Sequence, residues 1–240
     1  MADPAPSSPP APKWKPLDAI QRRVLGVLIE KAKTTPAGYP MSVNAIVIGC
    51  NQKSNREPAM TLDDFAVEKA LDQLRNMGAV TEIDWVGRVS KWKHLGYEWL
   101  GVKNTEMAVM AELLLRGAQA LGELRARAAR MEPIADLTEL KPVVTGLIER
   151  GLMVELTGPG RGQIVSHKLY LPAELDELKT SLSRGAWSGA PREESATAAA
   201  VVPADRAAEL SAEIAALRAE VARLRDLVTA LADRANPTPR

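Results

Sequence analysis

The sequence predicts a mainly α-helical fold with small β wings, in which two tandem winged-helix repeats precede a C-terminal coiled-coil helix. Three observations predict it. The order helix, helix, helix, strand, turn, strand fits residues 17–101 and again residues 102–182. A Leu-x3-Gly pattern that ends the third helix at Gly78 recurs at Gly151, an offset of 73 (151 − 78), as in a duplicated unit. Apolar residues then recur at heptad spacing over 205–235.

The first copy is built from three predicted helices and a hairpin. Apolar residues at helical spacing predict the helices, and two short apolar runs on either side of Gly87 predict the strands. Ser42 is the expected N-cap of the second helix, and Phe65 counts among the apolar positions of the third. The expected helices are 17–33, 43–50 and 62–77, and the expected strands are 79–85 and 89–95.

The second copy repeats this order with a shorter link between its second and third helices. The best match for Met41 is Leu121, at an offset of 80 (121 − 41), whereas the third helices and hairpins match at 73. The first copy therefore has about seven extra residues, which fall on NQKSNREP (51–58), here called the connector. The expected helices are 105–116, 121–130, 137–150 and 172–182, and the expected strands are 152–157 and 164–171.

The segments outside the two copies differ in composition. Residues 1–16 are rich in proline and predict a disordered tail, and residues 183–204 predict a flexible linker. Over 205–235, leucine at every d position with Ile or Val at every a position favours a parallel two-stranded coiled coil, and so a homodimer. The alternative is a helix that docks on its own chain. The heptad residues are Leu210, Ile214, Leu217, Val221, Leu224, Val228 and Leu231.

Three motifs in the two copies resemble those of the YceH-like bacterial proteins, an uncharacterised family. They are EK-x-TTP-x-x-YP (30–40), CNQK-x-NREP (50–58) and LLLRG-x-Q-x-x-GELR-x-RA-x-RM (113–131). The resemblance covers about residues 17–171. It implies tandem winged helices in a cytoplasmic bacterial protein and implies no established activity.

Composition excludes several classes of protein. The charged fraction of 25% and the hydrophobic fraction of 46% are those of a soluble globular protein. A net charge of +1 gives no global field that would attract a polyanion, so any such site must be local. The N-terminus lacks the apolar region of a signal peptide, and no apolar run reaches the ~18 residues of a membrane span. One cysteine excludes an internal disulfide. We therefore expect a cytoplasmic protein that has no membrane contact.

Nothing in the sequence favours catalysis, a cofactor or a metal site. His94 and His167 occupy equivalent positions in the two hairpins, where a structural imidazole is expected, and no ligand cluster adjoins them. Cys50 is expected to be a small buried residue. The glycine-rich GPGRG (158–162) lies between strands and lacks the lysine of a phosphate-binding loop, so it is interpreted as a wing turn.

Double-stranded DNA is the leading ligand, in a regulatory or structural role. Winged helices often place the third helix in the major groove and the wing against phosphate, and lysine and arginine dominate such affinity. Asparagine, glutamine and arginine also reach base edges. The connector, the two wings and the second helix of the second copy supply these residue types. The candidate DNA- or partner-binding residues are Asn51, Gln52, Lys53, Asn55, Arg56, Arg88, Lys91, Lys93, Arg125, Arg127, Arg130 and Arg161.

The third helices favour a different ligand. With its lead-in, the third helix of the first copy has four acidic residues against two cations, so a phosphate groove would repel it. The alternative function is a protein–protein adaptor that a C-terminal coiled coil makes bivalent. Two structural alternatives stay open as well. The arginines over 116–130 could pair with Glu112, Glu123 and Glu132, and the connector could be a set of side-chain caps that tie the second helix to the third.

Overall fold

The computed structural model describes residues 13–83, 90–160, 162–184 and 223. Over these residues the fold is mixed α+β, with eight α-helices and two small antiparallel sheets. The helices are α1 (Ala19–Thr34), α2 (Val43–Cys50), α3 (Asp64–Asn76), α4 (Gly96–Leu100), α5 (Asn104–Arg116), α6 (Leu121–Ala128), α7 (Leu137–Glu149) and α8 (Pro172–Ser183). The strands are β1 (Val80–Ile83), β2 (Lys91–His94), β3 (Gln119–Ala120), β4 (Met153–Glu155) and β5 (Ile164–His167).

The predicted order of elements is confirmed within the described residues. The series α1, α2, α3, β1, β2 is followed by α5, α6, α7, β4, β5, and each predicted helix begins and ends within two residues of its expected bounds. Helix α2 begins after Ser42, whose side chain accepts a hydrogen bond from the Ala45 N–H, as expected of an N-cap. Helix α4, strand β3 and a 3-10 turn at Pro36–Gly38 were not predicted.

The connector is a shorter insertion than the sequence comparison indicated. The starts of α2 and α6 differ by an offset of 78 (121 − 43), and the starts of α3 and α7 differ by an offset of 73 (137 − 64). The first copy therefore has five extra residues, not about seven. The sequence comparison matched Met41 with Leu121. In the sheets, however, Met41 bridges to Trp92 and Gln119 pairs with Val165, so Met41 corresponds to Gln119.

Each hairpin gains a third, short partner from the segment before the second helix. In the first copy β1 pairs with β2 in the register Val80↔His94, and Met41 adds an isolated bridge to β2. In the second copy β5 lies between β3 and β4. The glycines after the third helices, Gly78 and Gly151, both have a positive φ, at 75° and 71°, which favours glycine at a helix end.

Helices α1 and α5 pack along each other at the centre of one continuous core that both copies share. Every residue of α1 from Gln21 to Glu30 is buried, and the central residues of α5 are buried as well. The close approach requires Gly26, because a Cβ there would lie 3.0 Å from the side chain of Leu115. The second copy also contacts the start of α1, where Arg22 forms a salt bridge of 2.6 Å with Glu174 of α8.

In the described part of the chain no helix is long and apolar enough to cross a membrane. The predicted coiled coil, with its seven heptad residues from Leu210 to Leu231, lies outside the described residues, as do most of the N-terminal tail and the linker.

Candidate functional site

Arg23 of α1 holds both ends of the connector. Its side chain is buried and donates 2.9 Å and 2.6 Å hydrogen bonds to the carbonyl oxygens of Cys50 and Pro58. The backbone N–H of Glu57 also donates to the carbonyl of Leu115, on the neighbouring helix α5. The connector is therefore attached to the central helix pair at its beginning and at its end.

Arg56 has a structural position, which differs from its predicted role as a phosphate contact. Its side chain is fully buried and pairs with Glu30 of α1 through two bonds, of 2.5 Å and 3.3 Å. It also donates to the Gly49 carbonyl and to the side chain of Gln52. Because these bonds occupy the guanidinium and burial excludes a polyanion, Arg56 is corrected from a phosphate contact to the anchor of the connector.

The connector amides are also used internally. Asn51 makes two bonds with the backbone of Leu62, donating to its carbonyl at 2.7 Å and accepting from its N–H at 2.8 Å. This pair ties α2 to the start of α3, as the capping alternative expects. Asn55 has a positive φ of 61° and accepts a hydrogen bond from Arg116. Lys53 and Ser54 are the exposed residues at the tip of the connector.

A buried cluster of charges lies between α1, α5 and the connector. Glu112 is fully buried, and its carboxylate lies 3.1 Å from Arg116 Nε and 3.3 Å from Arg130. The first contact lacks hydrogen-bond geometry, since both atoms are without a hydrogen-bond partner. Burial raises the pKa of Glu112 above its usual range, and the positive charges of Arg116, Arg130 and Arg127 oppose that shift. The internal pairing expected for these arginines with Glu112 is confirmed for Arg116 and Arg130.

An open cleft of about 480 Å³ lies beside this cluster, between the last turns of α1 and the connector. Glu30 lines it together with three cations, Lys31, Lys53 and Arg130. Arg130 also lies 3.9 Å from Glu30, and its side chain is 39% exposed. The cleft thus has a positively charged rim around a carboxylate that Arg56 already pairs.

Among the described residues, the most exposed of the large apolar side chains lie on α2 and α3. Phe65 is 74% exposed and Ile48 is 61% exposed. Phe65 therefore does not belong to the core face of α3, which consists of Val67, Ala70, Leu71 and Leu74. Phe65 lies two residues before Val67, a rotation of about 200° that places it on the opposite face of the helix. This spacing could have shown from the sequence that Phe65 is exposed. This α2–α3 surface also has four exposed carboxylates, which outnumber the exposed cations Lys69 and Arg75: Asp63, Asp64, Glu68 and Asp72.

The corresponding positions in the second copy lack both apolar side chains. By the two offsets between the helix starts, Ala126 corresponds to Ile48 and Thr138 corresponds to Phe65. The α2–α3 surface is therefore a feature of the first copy alone.

The remaining predicted cations divide into three groups. Lys91 and Lys93 are half-buried on β2. Arg125 donates to the carbonyls of Ile134 and Ala135, and Arg127 donates to Gln119 at 2.8 Å and pairs with Glu123. Arg88 and Arg161 lie outside the described residues. Glu132, an expected partner of the arginines, pairs instead with Lys33.

The histidines and the cysteine are engaged in the core. His94 Nδ1 and His167 Nδ1 each accept a backbone N–H two residues later, from Gly96 and Leu169. Burial, aided by Lys33, lowers the pKa of His94 to about 4, and burial lowers the pKa of His167 well below its usual value. Cys50 is buried as expected, and burial raises the pKa of its thiol to about 12.

Sequence reasoning named Glu112 as a partner for the arginines but did not predict that Glu112 and Glu30 would be buried. Glu30 and Glu112 lie on the central helices, where charged residues are almost never buried unless they are paired. Glu112 lies between two apolar residues and Glu30 directly follows the apolar run 27–29, and this apolar context was the available signal. Their partners Arg56 and Arg130 are 26 and 18 residues away in sequence, so only the tertiary fold brings the charges together.

The chain is similar to a family of bacterial proteins. Residues 17–161 match the family model described as a protein of unknown function, DUF480. A UPF0502 protein of Rhodopirellula baltica is 53% identical over 169 residues, which cover 69% of this chain and 71% of that relative. A UPF0502 protein of Citrifermentans bemidjiense is 42% identical over 175 residues (71% and 81%), and one of Geotalea uraniireducens is 40% identical over 200 residues (83% and 89%).

Proposed function

Because the chain belongs to the DUF480 family, whose description assigns no activity, we propose its function from the geometry of the structure. The related UPF0502 proteins of bacteria are likewise named without an activity. The chain is a non-enzymatic adaptor in the cytoplasm, built from two winged helices. It binds a cationic, apolar segment of another protein on the α2–α3 surface of the first copy. The predicted coiled coil makes it a dimer and therefore bivalent.

The order of elements and the strand pairing support the winged-helix assignment. Each copy has three helices followed by an antiparallel hairpin, and each hairpin takes a further partner from the segment before the second helix, Met41 in one copy and β3 in the other. That is the arrangement expected when a helix-turn-helix packs against a small wing. The third helices, α3 and α7, are then the exposed recognition elements.

The exposure of Phe65 carries the proposal of a protein ligand. An aromatic side chain that is 74% exposed offers about 1.5–3 kcal/mol if a partner buries it fully, and aromatic residues are common anchors of interfaces. Four exposed carboxylates, at the N-cap of α3 and along the helix, outnumber the two cations Lys69 and Arg75, and Arg75 is already paired with Asp72 and Glu82. This charge complements a cationic segment and repels a phosphate backbone.

Peptide display on the immobilised full chain tests the adaptor. We expect selection to enrich peptides that combine Lys or Arg with a large apolar side chain, and we expect these peptides to lose binding to Phe65→Ala. Leu171→Ala is the matched control, because Leu171 is also exposed but lies at the start of α8. Enriched peptides that bind the Phe65→Ala variant equally well would contradict the proposed surface.

Duplex DNA is the second candidate, and a specific observation favours it. Lys53 is exposed at the connector tip, and within the described residues it makes no ion pair, so it is available to a phosphate. Lys91 and Lys93 on β2 would extend the contact along the first wing. Arg125 and Arg127 are poorer candidates, because their guanidinium groups are bonded internally. Arg130 is bonded to Glu112, but its side chain stays 39% exposed.

Fluorescence anisotropy of a labelled duplex across a salt series distinguishes the two candidates. If DNA is the ligand, the full chain binds at low salt, and Lys53→Ala combined with Lys93→Ala reduces the salt slope by about 2. Lys179→Ala on α8 is the control and leaves the slope unchanged. Absence of binding at low salt excludes the duplex and leaves the adaptor as the proposal.

Bivalence depends on residues 205–240 and has a separate test. Light scattering of the full chain and of a chain without 205–240 measures the two masses. We expect a dimer and a monomer, respectively. An unchanged mass would contradict the coiled coil and leave the adaptor monovalent.

A further inference from the structure

The cleft between α1 and the connector has more positive charge than its own carboxylates neutralise. Two carboxylates, Glu30 and Glu112, belong to the cleft and the cluster behind it. Five cations accompany these two carboxylates, which leaves an excess of three positive charges. The five are Lys31, Lys53, Arg56, Arg116 and Arg130. Arg127 and Lys33 do not alter this balance, because Glu123 and Glu132 pair with them.

The structural part of the charge cluster is complete without Lys31 and Lys53. Arg56 neutralises Glu30 through two bonds, and Arg116 and Arg130 face Glu112. Lys31 and Lys53 lie on opposite walls of the cleft, one on α1 and one on the connector, and neither makes an ion pair within the described part of the chain. Their charges therefore contribute nothing to holding the connector and remain available to a ligand.

The donors at the rim suit a compact anion with several oxygen acceptors. The side chains of Lys31, Lys53 and Ser54 and the partly exposed Arg130 line the same cleft. A phosphate monoester carries up to two charges and three terminal oxygens, which such a set can share. The volume of about 480 Å³ lies in the range of small-molecule sites and exceeds the needs of a bare phosphate.

We propose that this cleft binds the phosphate group of a small phosphorylated molecule, with Lys31, Lys53 and Arg130 as the charged contacts. The C-terminal end of α1 adjoins the cleft, and the partial negative charge of its carbonyl groups disfavours a bound anion. The two lysines are therefore needed to make the electrostatic potential in the cleft positive. The site is independent of the α2–α3 surface. Because the walls of the cleft are α1 and the connector, a bound phosphate bridges these two segments. It therefore adds to the attachment of the connector to α1 that the Arg56–Glu30 pair provides.

Isothermal titration calorimetry on the full chain tests the site with four probes: adenosine 5′-monophosphate, ribose 5-phosphate, inorganic phosphate and adenosine. We expect both esters to bind, with an affinity that falls as salt rises, and adenosine to give no heat. Inorganic phosphate should compete with the esters. Lys31→Ala combined with Lys53→Ala should weaken ester binding at least tenfold, whereas Lys179→Ala, remote on α8, should leave it unchanged. Both variants remove exposed or half-exposed lysines that carry no ion pair, so both should fold.

Each contrary result overturns the proposal. No ester binding at low salt shows that the cleft takes no phosphate. If Lys179→Ala weakens ester binding as much as the double lysine variant does, the binding reflects the general charge of the surface rather than this site. A labelled duplex that binds more tightly than the esters, is displaced by them and loses affinity in the double lysine variant would assign the cleft to a nucleic-acid backbone instead of a small molecule.

Discussion

Arg56 shows how a single charged residue determines the conformation of the connector. It is buried, it pairs with Glu30, and it reaches the carbonyl of Gly49 near the end of α2, so one side chain joins α1, α2 and the connector. Removing one partner of a buried ion pair leaves the other charge uncompensated, which costs far more than an exposed pair contributes. The conformation of the connector therefore depends on the pair rather than on the exposed lysine at its tip.

Replacing Arg56 with alanine should lower the free energy of unfolding by about 3–5 kcal/mol, because Glu30 stays buried without its partner. Lys53→Ala, in the same connector, should change it by less than about 0.5 kcal/mol, because Lys53 is exposed. Urea unfolding of both variants measures the difference. Similar values for the two would show that the buried pair does not hold the connector.

The half-buried His94 and the buried His167 predict a pH dependence of stability. Burial lowers the pKa of His94 to about 4 from an ordinary value near 6.5, so the unfolded chain takes up a proton at a pH where the folded chain does not. The stabilisation is fully present above pH 6.5 and is lost as the pH falls from there towards 4. His167 acts in the same direction.

His94→Asn should flatten this dependence, because asparagine keeps an acceptor for the Gly96 N–H but does not titrate. Urea midpoints at several values between pH 7 and pH 4 measure it. The chain should lose stability on acidification more steeply than the variant. Parallel curves for the two proteins would show that His94 titrates normally in the folded state.

At the scale of elements, α3 has two faces with different roles. Val67, Leu71 and Leu74 pack into the core, and Phe65 points away from it. Phe65→Ala should therefore change the free energy of unfolding by less than about 0.5 kcal/mol, whereas Leu71→Ala should cost about 2–5 kcal/mol. Chemical denaturation of the two variants checks this. A large loss on changing Phe65 would mean that its ring packs internally.

Helix boundaries were the most predictable part of the fold, whereas β5 ends at His167 rather than at the predicted residue 171. The bounds of α2 follow from Ser42 as its N-cap and from a short apolar run, which are local signals. Strand β3 and the Met41 bridge could not be found this way, because each is defined by a distant partner rather than by its own sequence. The same limit applies to the site. Lys53 was correctly expected on the surface, but the burial of Arg56 depends on Glu30, which belongs to another element.

At the scale of the whole molecule, the two copies share one core through α1 and α5. Gly26 allows their close approach, since its nearest neighbours across the contact belong to Leu115. The described parts of both copies should therefore unfold together, and a change at the contact should weaken both. Because of this coupling, a ligand in the cleft between α1 and the connector and a partner on the α2–α3 surface stabilise the same folded unit.

Gly26→Val should lower the free energy of unfolding by about 1–3 kcal/mol, because the added side chain meets Leu115 at close range. Gly146→Ala is the matched control. A Cβ at Gly146 in α7 meets nothing within 4 Å, and alanine should stabilise the helix by about 0.5–1 kcal/mol. Urea unfolding followed by circular dichroism and by tryptophan fluorescence should give coincident midpoints in every case. Two separate midpoints would contradict the shared core.

The most direct measurement is the affinity of a labelled, display-selected cationic peptide for the full chain and for its Phe65→Ala variant, by fluorescence anisotropy. We expect binding to weaken at least tenfold in Phe65→Ala and to be unaffected by Lys53→Ala, because the aromatic anchor and not the connector cation makes the contact. Equal affinity for the chain and the Phe65→Ala variant, or a loss on changing Lys53 instead, would contradict the α2–α3 surface as the binding site.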